Sequence, residues 1–387
     1  MGYDLLRVLA MAVAEFANLD GAFAQLQARR PVADASHLPG YLYASEEVYT
    51  REKSEIFLKD WVCFARVEEV ANPGDYLTER LMGEPFVVAR NLSGELHAFA
   101  NVCAHRGVEV AMGSGNTIEF SCPYHGWLYD LEGHLIGAPY MKEAEGFDSA
   151  NCRLKLLGLG VWAGWIFVNF NPNPEPFDRF IAEWEDAFGF LHMEDCRTAD
   201  KFVTEVDCNW KLVIENFVDY YHINTLHVDT LGGLKADHVE LKVLKPGVLS
   251  GFYPHAPLNA DGNLLFGMMP WLADRAEDFS GAGTLSPNMQ MFFYGDNVQV
   301  AVTWPMGPGR TRIQLYSVFP HVFFARDDFD AKIAEHAKMV EQIIEEDRDM
   351  VASLQRAMST RLFEPGRMCS MEGPVHHIIN YNLDRIS

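Results

Sequence analysis

No apolar run in this 387-residue chain approaches the roughly 20 residues that a membrane-spanning helix needs. Positive charge is also short: 31 Lys and Arg stand against 54 Asp and Glu, a formal net charge of −23. Phosphate backbones are held by basic surfaces, so nucleic acid is excluded as a partner, although a local basic patch can still dock a redox protein. Cysteine is sparse, seven residues without the spacing of a small disulfide scaffold. Cys63, Cys152, Cys196, Cys208 and Cys369 are scattered, mostly in apolar contexts where buried free thiols are usual, which reads as a reducing compartment. Leu5–Val13 follows Asp4 and precedes Glu15 and Asp20, whereas a secretory signal wants a basic start and a small-residue cleavage site. The expectation is a first helix in a cytoplasmic protein with no membrane segment. No Gly-x-Gly-x-x-Gly follows a strand, so there is no nicotinamide or flavin fingerprint.

What is present is the composition of a folded chain, 49% hydrophobic and 22% charged, with length for two or three domains. Leu5, Leu9, Val13, Phe16 and Phe23 recur at helical steps over residues 1–30. Ser45 followed by Glu46-Glu47 predicts a capped helix running to about Trp61. Short β-rich runs follow (Phe86–Ala89, Leu96–Ala100, Ile118–Phe120, Trp162–Asn169), separated by turn signals at Asn91–Gly94 and Leu131–Gly133. Pro172, Pro174 and Pro176 mark a linker. Beyond it the pattern predicts a helix over Phe177–Phe190, a strand around Phe202–Asp207 and a long helix from Trp210. Strand-like alternation then occupies 239–253, 288–303 and 310–319, and a helix of roughly twenty-five residues starts at Asp327. The fold class is α+β, divided at 1–45, 46–170 and 171–387: a helical segment, a small antiparallel β domain, and a larger α+β domain with an antiparallel sheet.

Two metal-ligand signatures stand on this frame. The first is Cys103-x-His105, then sixteen residues, then Cys122-x-x-His125. Two thiolates and two imidazoles presented pairwise by two loops suit a [2Fe–2S] cluster of the Rieske type, Cys on one iron and His on the other. Cys₂His₂ is also a zinc set, but zinc fingers order their ligands Cys, Cys, His, His, whereas here the types alternate. The second is Glu215-Asn216-x-x-Asp219-x-x-His222, with His227 five residues on. Two histidines beside carboxylates suit a mononuclear non-haem Fe(II) in a 2-His-1-carboxylate triad. Five residues turn an α-helix through about 500°, leaving the two rings about 140° apart, so the helix must loosen between them. Asn224-Thr225, poor helix formers, are where the break is expected. Asp219 could reach the metal, and the late helix offers Glu345, Glu346, Asp347 and Asp349 as further candidates. Asp347 shares a helical face with Val351 and Leu354.

The run Cys103-Ala-His-Arg-Gly107, Cys122-Pro-Tyr-His-Gly-Trp127 and Tyr129-Asp-Leu-Glu-Gly133 strongly resembles the Rieske non-haem iron oxygenases, α-subunit or oxygenase component. The resemblance covers most of residues 40–230 and, more weakly, the C-terminal third. Family members commonly carry Arg or another residue at the position of Ala104, which is not a ligand. The resemblance implies that residues 46–170 form the Rieske domain and 171–387 the mononuclear iron domain, with the N-terminal segment packed on the latter. It implies Cys103, His105, Cys122 and His125 on the cluster, and His222, His227 and Asp347 on the iron, the last because the family's carboxylate stands about eight residues before a Gln, here Gln355. It gives Asp219 a bridging role between an iron histidine and a Rieske histidine of the neighbouring subunit, and puts Asn216 beside the iron. It further implies electrons from an NAD(P)H-dependent reductase, directly or through a ferredoxin, O₂ as co-substrate, and a ring-shaped homotrimer.

The substrate side is thinner. Phe252, Phe266, Met268, Met269, Trp271, Met291, Phe292 and Phe293 predict an apolar pocket for a small aromatic or apolar substrate in a catabolic role. Chains of this length in the resembled family tend to be of the α-only type, which favours monooxygenation or oxidative O- or N-demethylation over ring cis-dihydroxylation. A Rieske electron carrier without oxygenase activity is a more distant alternative, since a ferredoxin needs only about 110 residues.

Overall fold

The computed structural model describes Phe23 and residues 25–232, 239–259 and 261–387; the expected helix at Leu5–Val13 lies outside them. Helix α1 (Glu46–Glu52) starts as the sequence predicts, Ser45 Oγ accepting from the amides of Glu47 and Val48. It runs through one wider turn to Phe57 and stops short of Trp61, whose indole N–H donates to the Glu175 carbonyl.

Ten short strands follow: β1 (Val62–Arg66), β2 (Asp75–Leu81), β3 (Glu84–Arg90), β4 (Leu96–Ala100), β5 (Ser114–Asn116), β6 (Phe120–Ser121), β7 (Leu128–Tyr129), β8 (Leu135–Gly137), β9 (Gly158–Trp162) and β10 (Trp165–Asn169). The order β4-β3-β2-β5 makes one antiparallel sheet and β6-β7-β8 a second, enclosing their own core around Val87, Phe99, Phe120, Trp127 and Tyr129. The third sheet, β1-β10-β9, buries Val62, Trp165 and Phe167 in the larger core shared with the C-terminal half. Strand expectations need correction here and in the larger sheet, where 239–253 and 288–303 each divide into two antiparallel strands. Ile118 is in a loop, 71% exposed, between β5 and β6. Trp162–Asn169 is not one strand but the turn and return of a hairpin. Ala163 and Gly164, at φ +46° and +82°, form its two-residue turn, the left-handed pair that matches strand twist.

The C-terminal half is built on a seven-stranded antiparallel sheet, in the order β11 (Cys196–Val206), β17 (Arg310–Pro320), β16 (Val298–Gly307), β15 (Met289–Phe293), β14 (Phe279–Leu285), β13 (Val248–Pro254), β12 (Glu240–Lys245). β14 is absent from the sequence reading because its Ser-Gly-Ala-Gly stretch has poor strand propensity. Its glycines are needed for close approach: a Cβ on Gly283 would sit 2.6 Å from the Phe188 and Trp184 rings, and one on Gly281 2.4 Å from the Gly251 carbonyl.

Helices α2 (Phe177–Phe188), α3 (Trp210–Val218), α4 (Ile223–Leu226), α5 (Phe329–Met358) and α6 (Gly373–Ile386) complete the fold, and α6 was not anticipated. α5 is longer than expected and buries Ile333, His336, Val340, Ile344, Asp347, Val351 and Gln355, a stripe of three- and four-residue steps. Leu354, expected on that face, is 44% exposed. The start of α3 is pinned by buried polar groups: Glu52 takes the Lys211 ammonium at 2.5 Å and the Trp210 indole N–H at 2.7 Å, while Gln355 accepts from the Asn209 amide at 2.9 Å.

Candidate metal centres and active-site cavity

The two cluster loops are built alike. Gly107 N–H donates to the Cys103 carbonyl and Gly126 N–H to that of Cys122, and both glycines have positive φ, +82° and +69°. Asn101 fixes the first loop from below, its Oδ1 accepting from Val110 and Ala111. Cys103 and Cys122 are buried while His105 and His125 are exposed, their ring centroids 4.6 Å apart. This donor set, two buried thiols under two adjacent solvent-facing imidazoles, fits a Rieske [2Fe–2S] cluster. Burial together with neighbouring His105 and Arg106 holds His125 below the usual histidine range, favouring its neutral form. Tyr129, which the sequence reading did not single out, accepts from the Ala104 amide at 3.0 Å and lies 3.2 Å from Cys103 Sγ, where its hydroxyl is the only available donor once the sulfur is a thiolate ligand. A hydrogen bond to a ligand sulfur raises the potential of such a cluster.

At the second signature the helix breaks earlier than expected. α3 ends at Val218, and Asp219 takes an extended conformation with its Oδ1 accepting from Tyr221 N–H at 2.7 Å. The side chain competes for the backbone and reverses the chain before His222 rather than after it. Asn224 and Thr225 lie inside the short turn α4, and His222 and His227 are its two flanking residues. Because His227 has left helical geometry, both rings can face one point.

That point is occupied by Asp347 of α5. His227 Nε2 is 2.9 Å and His222 Nε2 3.5 Å from Asp347 Oδ1, and one donor atom from each residue lies within 4.8 Å of the others. Each histidine turns its other nitrogen to a second carboxylate: His222 Nδ1 to Asp219 at 3.1 Å, His227 Nδ1 to Glu346 at 2.8 Å. Two Nε2 atoms and a carboxylate oxygen converging, each ring oriented from behind, fit a mononuclear 2-His-1-carboxylate metal. Burial disfavours the charged ring, yet Asp219 and Asp347 raise His222 to about 9, a measure of how much positive charge this spot attracts. Burial would raise Asp347, but the hydrogen bonds of His222 and His227, the charge of His227 and, least, a hydrogen bond from Asn216 hold it below the usual carboxylate range. Glu346, weighed in the sequence only as an alternative ligand, thus backs His227 and also accepts from Thr230 Oγ1 at 2.8 Å.

The triad opens on a cavity of about 80 Å³ lined by Asn216, Phe217, Asp219, Ile223, Leu231, Leu258, Phe292, Tyr294, Gln299, Leu315, Val340, Ile343 and Ile344 besides the triad itself. Of the eight residues expected to line it, Phe292 alone does so among the described residues. Phe252 and Phe293 pack with Phe188 and Phe190, Met269 and Met291 are fully buried, and Phe266 belongs to a separate cluster with Phe319 and Phe329. A second cavity of about 270 Å³ shares Asn216 and Asp219 and adds His37, Glu215, Leu354, Phe363 and Glu372. Neither cluster loop lines either cavity among the described residues. No helix among them is long and apolar enough to cross a membrane.

A family model for the Rieske [2Fe-2S] domain matches residues 60–152, and one for the ring hydroxylating alpha subunit (catalytic domain) matches residues 193–387. The chain is 35% identical over 204 residues to the carnitine monooxygenase oxygenase subunit of Acinetobacter baumannii, a match over 51% of this chain and 54% of that one, so it spans about half the length of that relative. It is 25% identical over 369 residues to the chloroplastic choline monooxygenase of Arabidopsis thaliana, covering 91% of this chain and 84% of that one. A quaternary ammonium Rieske monooxygenase in complex with L-carnitine superposes with a TM-score of 0.75 at 25% identity, over 93% of this chain and 97% of that chain. Another structure of a quaternary ammonium Rieske monooxygenase, at 24% identity, covering 93% and 96% and with a TM-score of 0.77, is described as giving insight into inter-subunit electron transfer. These relatives act on quaternary ammonium compounds, and they lend no support to an aromatic substrate or a role in aromatic catabolism.

Proposed function

Because this chain belongs to the ring-hydroxylating α-subunit family of Rieske oxygenases, we propose that it is a terminal monooxygenase acting on a small quaternary ammonium compound, by hydroxylation or oxidative N-demethylation. We take residues 46–170 as its electron-entry domain and 171–387 as its catalytic domain, with 1–45 packed on the latter. The reading rests on the cavity over His222, His227 and Asp347. Phe217, Phe292 and Tyr294 offer aromatic rings to a cation, Asp219 and Asp347 add negative charge, and no Lys or Arg lines the wall among the described residues.

When bound, the cluster supplies single electrons and the iron supplies O₂ activation. The balance is R–H + O₂ + two electrons + two protons giving R–OH and water; on an N-methyl group the product collapses to the amine and formaldehyde. His222, His227 and Asp347 are the proposed iron ligands, and Cys103, His105, Cys122 and His125 the cluster ligands. Asp219 orients His222 and reaches the second cavity, where we place His125 or His105 of a neighbouring copy in a homotrimer. Electrons come from a reductase or ferredoxin.

The test is O₂ uptake and product mass with NADH and a surrogate reductase, offering choline, carnitine, glycine betaine and naphthalene. An aldehyde or demethylated amine is expected. A cis-dihydrodiol from naphthalene, with no turnover of the ammonium compounds, replaces this reading by ring dihydroxylation.

A further inference from the structure

At the wall of the cavity, among the described residues, lies a polar pair that the oxygenase reading does not use. Gln299, on β16, lines the cavity, and behind it His336 of α5 is buried to 1% exposure. His336 Nδ1 lies 3.2 Å from the Leu258 carbonyl, a contact only an N–H can make, so Nδ1 carries a proton. Burial drives the ring down to about 4, the Leu258 hydrogen bond opposing, so at ordinary pH it is neutral and Nε2 is a bare lone pair. Phe319 packs edge-on against the ring at 5.5 Å and holds its plane.

That lone pair decides which way the neighbouring amide faces. Gln299 Nε2 is 3.5 Å from His336 Nε2, a long contact but one of the right polarity: the amide nitrogen donates, whereas its oxygen there would meet another lone pair. Oε1 is therefore left on the cavity side, and it has no hydrogen-bond partner among the described residues. An acceptor that loses water on ligand entry must be satisfied by the ligand, or the complex carries its desolvation cost.

We propose that Gln299, oriented by His336, determines specificity in this site by accepting a hydrogen bond from an O–H or N–H of the substrate. Gln299 touches the ligand; His336 is a positioning residue that acts through it. The inference rests on the reading that this cavity holds the substrate, but it asks for a donor group, not for a cation.

Two ligand pairs that differ by one hydroxyl separate these questions: choline against ethyltrimethylammonium, and benzyl alcohol against toluene. Dissociation constants are measured by calorimetry on the anaerobic, metal-loaded enzyme. The wild type should prefer the hydroxylated member of at least one pair by about three- to tenfold, the worth of one net hydrogen bond. Gln299→Leu should bring that ratio to about one, with affinity for the hydroxyl-free member kept, and Gln299→Glu, which retains an acceptor, should keep the preference. His336→Leu should shrink the ratio too, because the freed amide can turn; a purely structural histidine would weaken both members alike. If Gln299→Leu does not fold, as judged by the cluster spectrum and thermal unfolding, Gln299→Met takes its place. Preference within the alcohol pair alone keeps the role of Gln299 and removes the quaternary ammonium reading. No preference in either pair, or a preference that survives Gln299→Leu, overturns the proposal.

Discussion

His227 meets a carboxylate at each ring nitrogen, and the two carboxylates are neighbours in sequence: Asp347 at Nε2, Glu346 at Nδ1. Glu346→Gln keeps the shape but not the charge, so iron affinity should fall by about 10–100-fold, the usual cost of losing such a partner. Iron content after dialysis against a graded chelator measures it, and wild-type retention would leave Glu346 a mere helix-surface acid. Asp219→Asn should keep both metals yet slow reoxidation of the reduced cluster in stopped flow, since a carboxamide offers His222 one oxygen fewer. Burial, only partly offset by Tyr43 and Lys211, raises buried Glu215 to about 8 from an ordinary 4.5. The folded state then holds a proton that the unfolded state gives up. That contribution to stability is complete below pH 4.5 and is lost as pH rises through 8. Relative to Glu215→Gln, the wild type should unfold at a similar temperature at pH 5 and several degrees lower at pH 9; parallel melting curves over that range would put the charge on Glu215 throughout. Helical spacing made the shared face of Asp347 and Val351 readable in the sequence, whereas two adjacent acids do not reveal which binds metal and which binds a ring. The cavity wall was less readable still. Alternation tells which residues of a strand share a face, not which face is the cavity, and seven of the eight proposed lining residues pack elsewhere.

At the scale of elements, the site depends on how α3 ends and how it begins. Its end was misread because helix propensity pointed to Asn224-Thr225, while the break is made by Asp219 using its own side chain on the Tyr221 amide. Its beginning rests on Lys211 and Glu52, both almost fully buried. Lys211→Met removes one partner and leaves a buried carboxylate, which should cost about 3–5 kcal/mol, whereas Lys211→Met with Glu52→Leu should recover much of that loss. Urea unfolding of the single and double variants checks this, and equal destabilisation in both would deny the coupling. Strand β14 escaped the sequence reading because a glycine-rich stretch is specified by what packs against it. Helix α6 did carry a readable signal, Val375, Ile378, Ile379, Leu383 and Ile386 recurring at helical steps, which the sequence reading passed over.

At the scale of the molecule, the two centres sit on separate cores: one around Phe99, Phe120 and Tyr129, the other running from the β1-β10-β9 sheet through the large sheet to α6. Asp219 opens on the second cavity, which none of the cluster loops of the same chain enters among the described residues. The proposed head-to-tail ring, closed by a heterologous interface, would bring the exposed His105 and His125 of one copy to that opening in the next. The consequence can be tested without measuring any distance. Cys122→Ser removes the cluster and Asp347→Ala removes the mononuclear iron, so each variant alone is inactive under either wiring. Co-expressed in equal amounts and purified as mixed trimers through two different tags, they behave differently. If electrons stay within a chain, every chain lacks one centre and the mixture is dead. If they cross to the neighbour, a Cys122→Ser chain that keeps its iron works whenever the copy feeding it is an Asp347→Ala chain with an intact cluster. Every mixed ring of three then holds one iron-bearing chain fed by an intact cluster, whichever variant is in the majority, so about a third of the wild-type rate per chain should return. A mixed trimer that binds both metals in the expected half-amounts and still does not turn over would place the electron path inside one subunit and take the bridging role away from Asp219.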